Sequence, residues 1–209
     1  MAALLLALAA CGPRVEIHPD WILHAQVVYL AADLRTPVVA PGALRLQFPY
    51  ISGDLYGAPT TGDFLQPILD AQRRFTLDLN VSHAALLKSL EPAEFSLPYL
   101  QVQPAEARFA RLAPLAVQAD GIEQVGQAEW LDAATGQTLL LLYFDRPARI
   151  SGATLASGRP LRYDIRATAP GYVWVAREKR AAEDAFVVVG RPTRLVLAVT
   201  PRPPADTHK

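Results

Sequence analysis

The sequence is short of several things, and each shortage excludes something. One Cys and four His in 209 residues leave no disulfide framework and no Cys-rich metal site. No charge of either sign is in excess, 20 Lys+Arg standing against 20 Asp+Glu. That balance argues against a protein held on nucleic acid, which needs a clustered basic surface, and gives no long-range steering field. There is no G-x-S-x-G elbow, no fixed-period repeat and no low-complexity block. The apolar run at the N-terminus, Ala2 to Ala10, would make a helix of roughly 14 Å, half of the hydrocarbon core, and so cannot span a membrane. What remains is a chain with 51% hydrophobic residues, enough to bury a substantial core in one domain or two small ones. Low hydrophobicity with high net charge, the signature of disorder, is absent.

The N-terminal run ends in Leu8-Ala9-Ala10-Cys11, followed by Gly12. This tetrapeptide resembles the lipobox of bacterial lipoproteins. The residue types suit the chemistry: Ala9 and Ala10 are small enough for a peptidase cleft, and the thioether to diacylglycerol requires a thiol. The single Cys of the chain sits at that place. The resemblance covers residues 1–12 only. It departs from the usual leader in having no Lys or Arg before the apolar run. It implies cleavage before Cys11, lipidation of Cys11, and stable attachment, since two or more acyl chains hold a protein where one does not. With Gly12 rather than Asp after the Cys, it also implies an outer-membrane location facing the periplasm. Ala7-Leu8-Ala9 fits ordinary signal cleavage as one alternative, and a short buried N-terminal segment of a cytosolic protein is another. The expected organisation is a signal peptide over 1–10, a lipidated tether over 11–22, a folded domain over 23–200 and a polar, Pro-rich tail over 201–209.

Period-2 alternation dominates the interior, with apolar residues at 44, 46 and 48, at 77, 79 and 81, at 161, 163, 165 and 167, and at 195, 197 and 199. Trp130 to Phe144 reads as a hairpin turning through Asp132–Gln137, with Gly136 free to take positive φ. Leu139–Leu142 is apolar on both faces and predicts a central strand. Further strands are expected near 25–31, 148–155, 172–177 and 184–189. One helix is expected over His83–Leu90, capped by Ser82 and stopped by Pro92. Pro98, Pro104 and Pro114 leave 93–118 without a clear assignment. About ten strands with 18 prolines between them predict an all-β domain with one short helix. The expected arrangement is an antiparallel β-sandwich, immunoglobulin-like or transthyretin-like, with a two-part domain split near 119–125 as the alternative.

No catalytic constellation emerges. Ser82 and His83 are adjacent in sequence, which does not place a base on a nucleophile. Glu129, Asp132 and Asp145 flank the hairpin and read as solvated turn and edge residues. The mixed-sign run Arg177–Asp184 reads as an exposed hairpin connection. Trp21, Trp130, Trp174 and Tyr172 read as core aromatics, with a carbohydrate platform as the alternative. The loop from Ser52 to Asp63 has three glycines and two carboxylates, and Asp54, Tyr56, Asp63 and Phe64 form a candidate ligand-contacting loop. Its spacing matches no calcium loop, so neither metal nor cofactor is expected. The expectation is a non-enzymatic binding or assembly module, attached to the membrane through N-terminal acyl chains. It would engage an envelope protein or polymer and no nucleic acid. An anchored hydrolase of envelope polymers and a small-ligand carrier are the alternatives.

Overall fold

The computed structural model describes residues 17–39, 44–57, 65–118, 124–156 and 158–201. Its elements are β1 (Ile22–Tyr29), β2 (Leu44–Gln47), β3 (Tyr50–Ser52), β4 (Arg74–Asp78), α1 (Asn80–Ser89), β5 (Gln101–Gln103), β6 (Phe109–Leu112) and β7 (Leu115–Gln118). The second half adds β8 (Gln124–Asp132), β9 (Gln137–Phe144), β10 (Ala148–Ala156), β11 (Arg159–Ala167), β12 (Gly171–Lys179), β13 (Asp184–Val189) and β14 (Leu195–Pro201). A 3₁₀ turn over Pro19–Trp21 leads into β1.

The expectation of a mostly β chain with one helix holds; that of a wholly antiparallel sheet does not. Among the described residues, fourteen strands form one mixed sheet, with main order β4-β1-β14-β8-β9-β12-β13-β11-β10-β5. Two pairs are parallel: β1 beside β14, and β11 beside β13. Parallel neighbours need a crossover. The first pair gets it because the whole domain lies between its strands. The second gets it because β12 intervenes and pairs antiparallel with β13. Alternation reveals which face of a strand is buried, but carries no record of its neighbour's direction.

The hairpin is where the sequence placed it. Trp130 pairs with Leu139, and Gly136 has φ 71°, a conformation that costs other residues a Cβ clash. Beyond Trp130 the two strands splay apart, and the bent segment Phe109–Gln118 enters the fork. Its first half, β6, pairs with β9, and its second, β7, pairs with β8. This segment lay in the unassigned stretch, because Ala113-Pro114 interrupts its pattern just where the strand changes partner.

The sheet carries two main cores. The first gathers Leu23, Val27, Phe48, Phe75, Leu77, Leu86, Trp130 and Trp174, from strands at both ends of the first half of the sheet and from α1. The second gathers Leu55, Phe109, Phe144, Ile150, Tyr163 and Ile165. Strand β9 divides them: Leu139, Leu141 and Tyr143 face the first, Leu142 and Phe144 the second. Strand β12 repeats this with Trp174 and Ala176 against Val175. The two-faced apolarity of 139–142 is therefore that of a wall shared by two cores.

Near residue 80 the sequence reading is corrected. The alternation at 77, 79 and 81 ends at Asp78, and α1 starts at Asn80, before the expected Ser82 cap. Asp78 Oδ1 accepts the Asn80 N–H at 3.0 Å and so satisfies a donor at the start of the helix. Ser82 is buried inside the first turn instead. At the other end, β14 runs one residue into the expected tail, Pro201 standing opposite Gly126.

Candidate functional site

The expected tether is, from His18 onward, part of the domain. The His18 N–H donates to Asn80 Oδ1 at 2.9 Å, and Asn80 Nδ2 returns a bond to His18 O at 3.1 Å. The His18 ring stacks on Trp21 with centroids 4.0 Å apart. Trp21 in turn meets His83 at 4.7 Å and Tyr172 at 5.1 Å, and His83 meets Tyr143 at 5.2 Å. Four elements distant in sequence thus converge on one aromatic cluster at the rim of the first core.

Beneath the rings runs a chain of hydroxyls. Tyr50 OH lies 2.9 Å from Ser82 Oγ and 2.7 Å from Tyr172 OH. Ser82 donates its proton to Leu79 O at 3.3 Å, which leaves Oγ to accept from Tyr50 and Tyr50 to accept from Tyr172. Burial pushes the Tyr50, Tyr143 and Tyr172 phenols up, so all three stay neutral. Ser82 bonds Tyr50 rather than its neighbour His83, whose Nδ1 is buried without a partner. Burial and, after it, the electrostatic influence of neighbouring His18 hold the His83 imidazole below its ordinary value.

Beside this cluster the first core opens into a groove of about 410 Å³. Leu23, Leu79 and Leu141 form its floor, and Trp21, Tyr172, Trp174, Val188 and Val189 its sides. Arg191 and Asp20 close one rim with an ion pair at 2.9 Å, and Arg191 also donates to Ile22 O. Of the four aromatics read as core residues, Trp21, Trp174 and Tyr172 meet here, whereas Trp130 lies fully inside the first core against Phe48.

In the candidate ligand loop, Asp54 is held by backbone groups. Asp54 is buried: Oδ1 accepts the Leu55 N–H at 2.6 Å and the Tyr56 N–H at 3.3 Å, and Oδ2 accepts the Ser96 N–H at 3.2 Å. Its lone pairs serve to pin the loop against the segment after α1. Gly53 makes that approach possible: its φ is +71°, and a Cβ there would stand 2.5 Å from Pro92 O. Tyr56 is 44% exposed, while its hydroxyl meets Tyr163 OH at 3.0 Å. Asp63 and Phe64, like Cys11, lie outside the described residues. Among the described residues no group of three His, Cys, Asp or Glu could hold a metal ion.

The hairpin carboxylates go separate ways. Asp132 accepts the Ala134 N–H within its own turn, and Asp145 accepts the Arg108 N–H and pairs with Arg146. Burial raises the Glu129 carboxyl, against the pull of Arg111, whose Nη1 donates to Leu55 O at 2.5 Å. The run 177–184 is corrected at its end. Asp184 is only 3% exposed and receives Arg159 at 2.7 Å and Arg177 at 2.8 Å. No local pattern announces either this ion network or the Tyr50–Tyr172 bond, whose partners are 122 residues apart.

No family model matches the sequence, and no curated protein or solved structure matches it either.

Proposed function

We propose that the chain is a lipid-anchored envelope lipoprotein, held through acylated Cys11 on the periplasmic side of the outer membrane. Its domain, read as an immunoglobulin-like or transthyretin-like β-sandwich, serves as a non-enzymatic binding or assembly module. The groove beside Trp21 and Tyr172 is the binding site in this reading. One observation carries it: the polar groups at the groove are engaged with one another, Tyr172 with Tyr50, Tyr50 with Ser82, and Asp20 with Arg191. Such a site presents shape and aromatic surface, and spends no hydroxyl or carboxylate on a reacting atom. A small-ligand carrier is the second reading, favoured by the three leucines of the floor and by a volume within the usual range for small-ligand pockets.

Two measurements test the proposal. Mass spectrometry of the mature chain should find Cys11 as its first residue, carrying acyl mass, and Cys11→Ala should abolish both. A photo-reactive residue at Val189, in the groove, should crosslink in cells to one envelope protein or polymer, while one at Leu155 should not. A small molecule co-purifying with the chain, with no crosslink, would favour the carrier. Hydrolysis of an envelope polymer, lost in Glu129→Gln, would replace both readings with an enzyme.

A further inference from the structure

The groove beside Trp21 has an apolar interior and a charged mouth. Leu23, Leu79 and Leu141 make its floor, and Val188 and Val189 stand half-buried on its side. The one hydroxyl among its lining residues, that of Tyr172, is already bonded to Tyr50. A ligand rich in hydroxyls would bury them here against carbon, at a cost, whereas a hydrocarbon chain loses nothing. At about 30 Å³ per methylene, the share of a water molecule in the liquid, 410 Å³ holds roughly a dozen methylenes: one chain and not two.

The mouth holds a guanidinium whose partner is easily displaced. Arg191 pairs with Asp20 at 2.9 Å, but the Asp20 side chain is 88% exposed, and an exposed pair is weak. Arg191 is also fixed from a second side, through Nη2 to Ile22 O at 2.9 Å. The guanidinium therefore stays in place while its carboxylate can swing into water. Asp20 shows what Arg191 accepts there, a carboxylate oxygen on Nη1. More positive charge lies on the same side of the sheet. Val189 stands opposite Trp174, and Val187, two residues back, stands opposite Asp164, so these side chains share one face. Arg149 and Arg166 both bind Asp164, each at 2.9 Å, so two cations share one anion next to the strand that carries Val188 and Val189.

We infer that the groove binds a long-chain fatty acid. Its carboxylate takes the place of Asp20 on Arg191, and its alkyl chain lies along Leu23, Leu79 and Leu141 beside Trp21 and Trp174. This rests on the reading of the groove as a small-ligand site and names the ligand class for it. The charge at the mouth selects an anionic head, and the size of the floor selects a single chain over a two-chain phospholipid.

The test uses the full chain in phosphatidylcholine vesicles, titrated with palmitic acid brominated at mid-chain. Bromine quenches tryptophan on contact, and Trp21 and Trp174 line the groove, so quenching reports occupancy. It should saturate and be relieved by unlabelled palmitate. Arg191→Gln should raise the half-saturating ratio of acid to lipid about tenfold, the loss of one charge-assisted pair. Asp20→Asn should lower that ratio about twofold, by removing the competing carboxylate. A general loss of structure would not move the two exposed variants in opposite directions. Equal half-saturation in wild type and Arg191→Gln overturns the fatty acid and leaves the groove to an uncharged ligand. Equal quenching by brominated phosphatidylcholine built into the vesicles also overturns it, by showing that the rings meet the bilayer itself. Displacement by lysophosphatidylglycerol at a lower ratio than by palmitate overturns it in favour of a phosphate head. No quenching, together with a crosslink from Val189 to an envelope protein, overturns the fatty acid and keeps the groove as a partner site. No quenching, no crosslink and no co-purifying molecule removes the groove as a binding site altogether.

Discussion

The two cores share a wall but end differently. Apart from the exposed Asp20–Arg191 pair on the groove rim, the first ends in neutral groups, the Tyr172–Tyr50–Ser82 hydroxyls and the rings around His83, and it opens into a groove. The second ends in charged groups that are fully committed: Asp184 to Arg159 and Arg177, and Asp54 to three backbone N–H groups. A neutral edge can stay open because uncovering a hydroxyl or a ring costs little. A buried carboxylate without partners costs several kcal/mol, so a charged edge is stable only when closed. Binding is accordingly expected at the first edge, and acid sensitivity at the second.

The largest effects should come from the cores themselves. Trp130→Ala in the first and Phe144→Ala in the second each remove a fully buried ring and should cost about 3–5 kcal/mol. The question is whether the cores melt together. Because β9 and β12 contribute side chains to both, each variant should shift one common transition, seen alike by tryptophan fluorescence and far-ultraviolet circular dichroism. Two separated transitions, only one of them moved by each variant, would show the shared wall to be a boundary between independent units.

Asp184→Asn should have the next largest effect. Burial raises the Asp184 carboxyl, but the bonds from Arg159 and Arg177 together outweigh it and hold the group below the ordinary carboxylate value. The sign follows from linkage. A carboxylate with its pKa lowered by folding adds stability that is complete above the unfolded value and is lost as pH falls through the folded one. The variant should therefore melt several degrees below wild type at pH 7, and the gap should narrow progressively as the pH falls below about 4 towards the folded value. An equal gap at pH 7 and pH 3 would mean that packing, and not charge, holds β13 against β11 and β12.

These edges mark the limit of what was legible in the sequence. Strands announce themselves where one face is buried, as at 161–167, and so does the hairpin, because Gly136 and its neighbours encode the turn locally. The short strands β3, β6 and β7 have only three or four residues each, too little for a periodicity, whereas β2 lies within the alternation at 44, 46 and 48. Direction and partner were illegible too, which is why the parallel β1–β14 and β11–β13 pairs came unannounced. At the site, the sequence reads Trp21, Trp174 and Tyr172 as core aromatics, with a carbohydrate platform as the alternative. Tyr50, Ser82 and His83 join them only through contacts spanning tens of residues. Asp54 was marked for its chemistry, yet its neighbours Leu55, Tyr56 and Ser96 take up that chemistry through their backbone.

The smallest effect, and the one that separates the two edges most cleanly by pH, concerns His83. Its ring lies against Trp21 and Tyr143, and burial, with the electrostatic influence of His18 second, holds its pKa below the ordinary histidine value. The neutral form is thus favoured in the fold, and between the folded and unfolded pKa values the unfolded chain binds the extra proton. Stability then rises with pH across that interval: the contribution is present above about 6.5 and is lost as pH falls through the folded value. The melting midpoint of the wild type should accordingly decline by about a degree or two between pH 7 and pH 5, a window in which the Asp184 network is still fully ionised. His83→Gln should lower the midpoint at pH 7, through lost ring contacts, and flatten the slope between pH 7 and 5. It should leave the acid limb below pH 4 unchanged. Asp184→Asn should do the reverse, lowering the midpoint while keeping the wild-type slope between pH 7 and 5, and altering the acid limb. If His83→Gln keeps the full wild-type slope between pH 7 and 5, protonation is being absorbed elsewhere, and the neutral character assigned to the first edge would be lost.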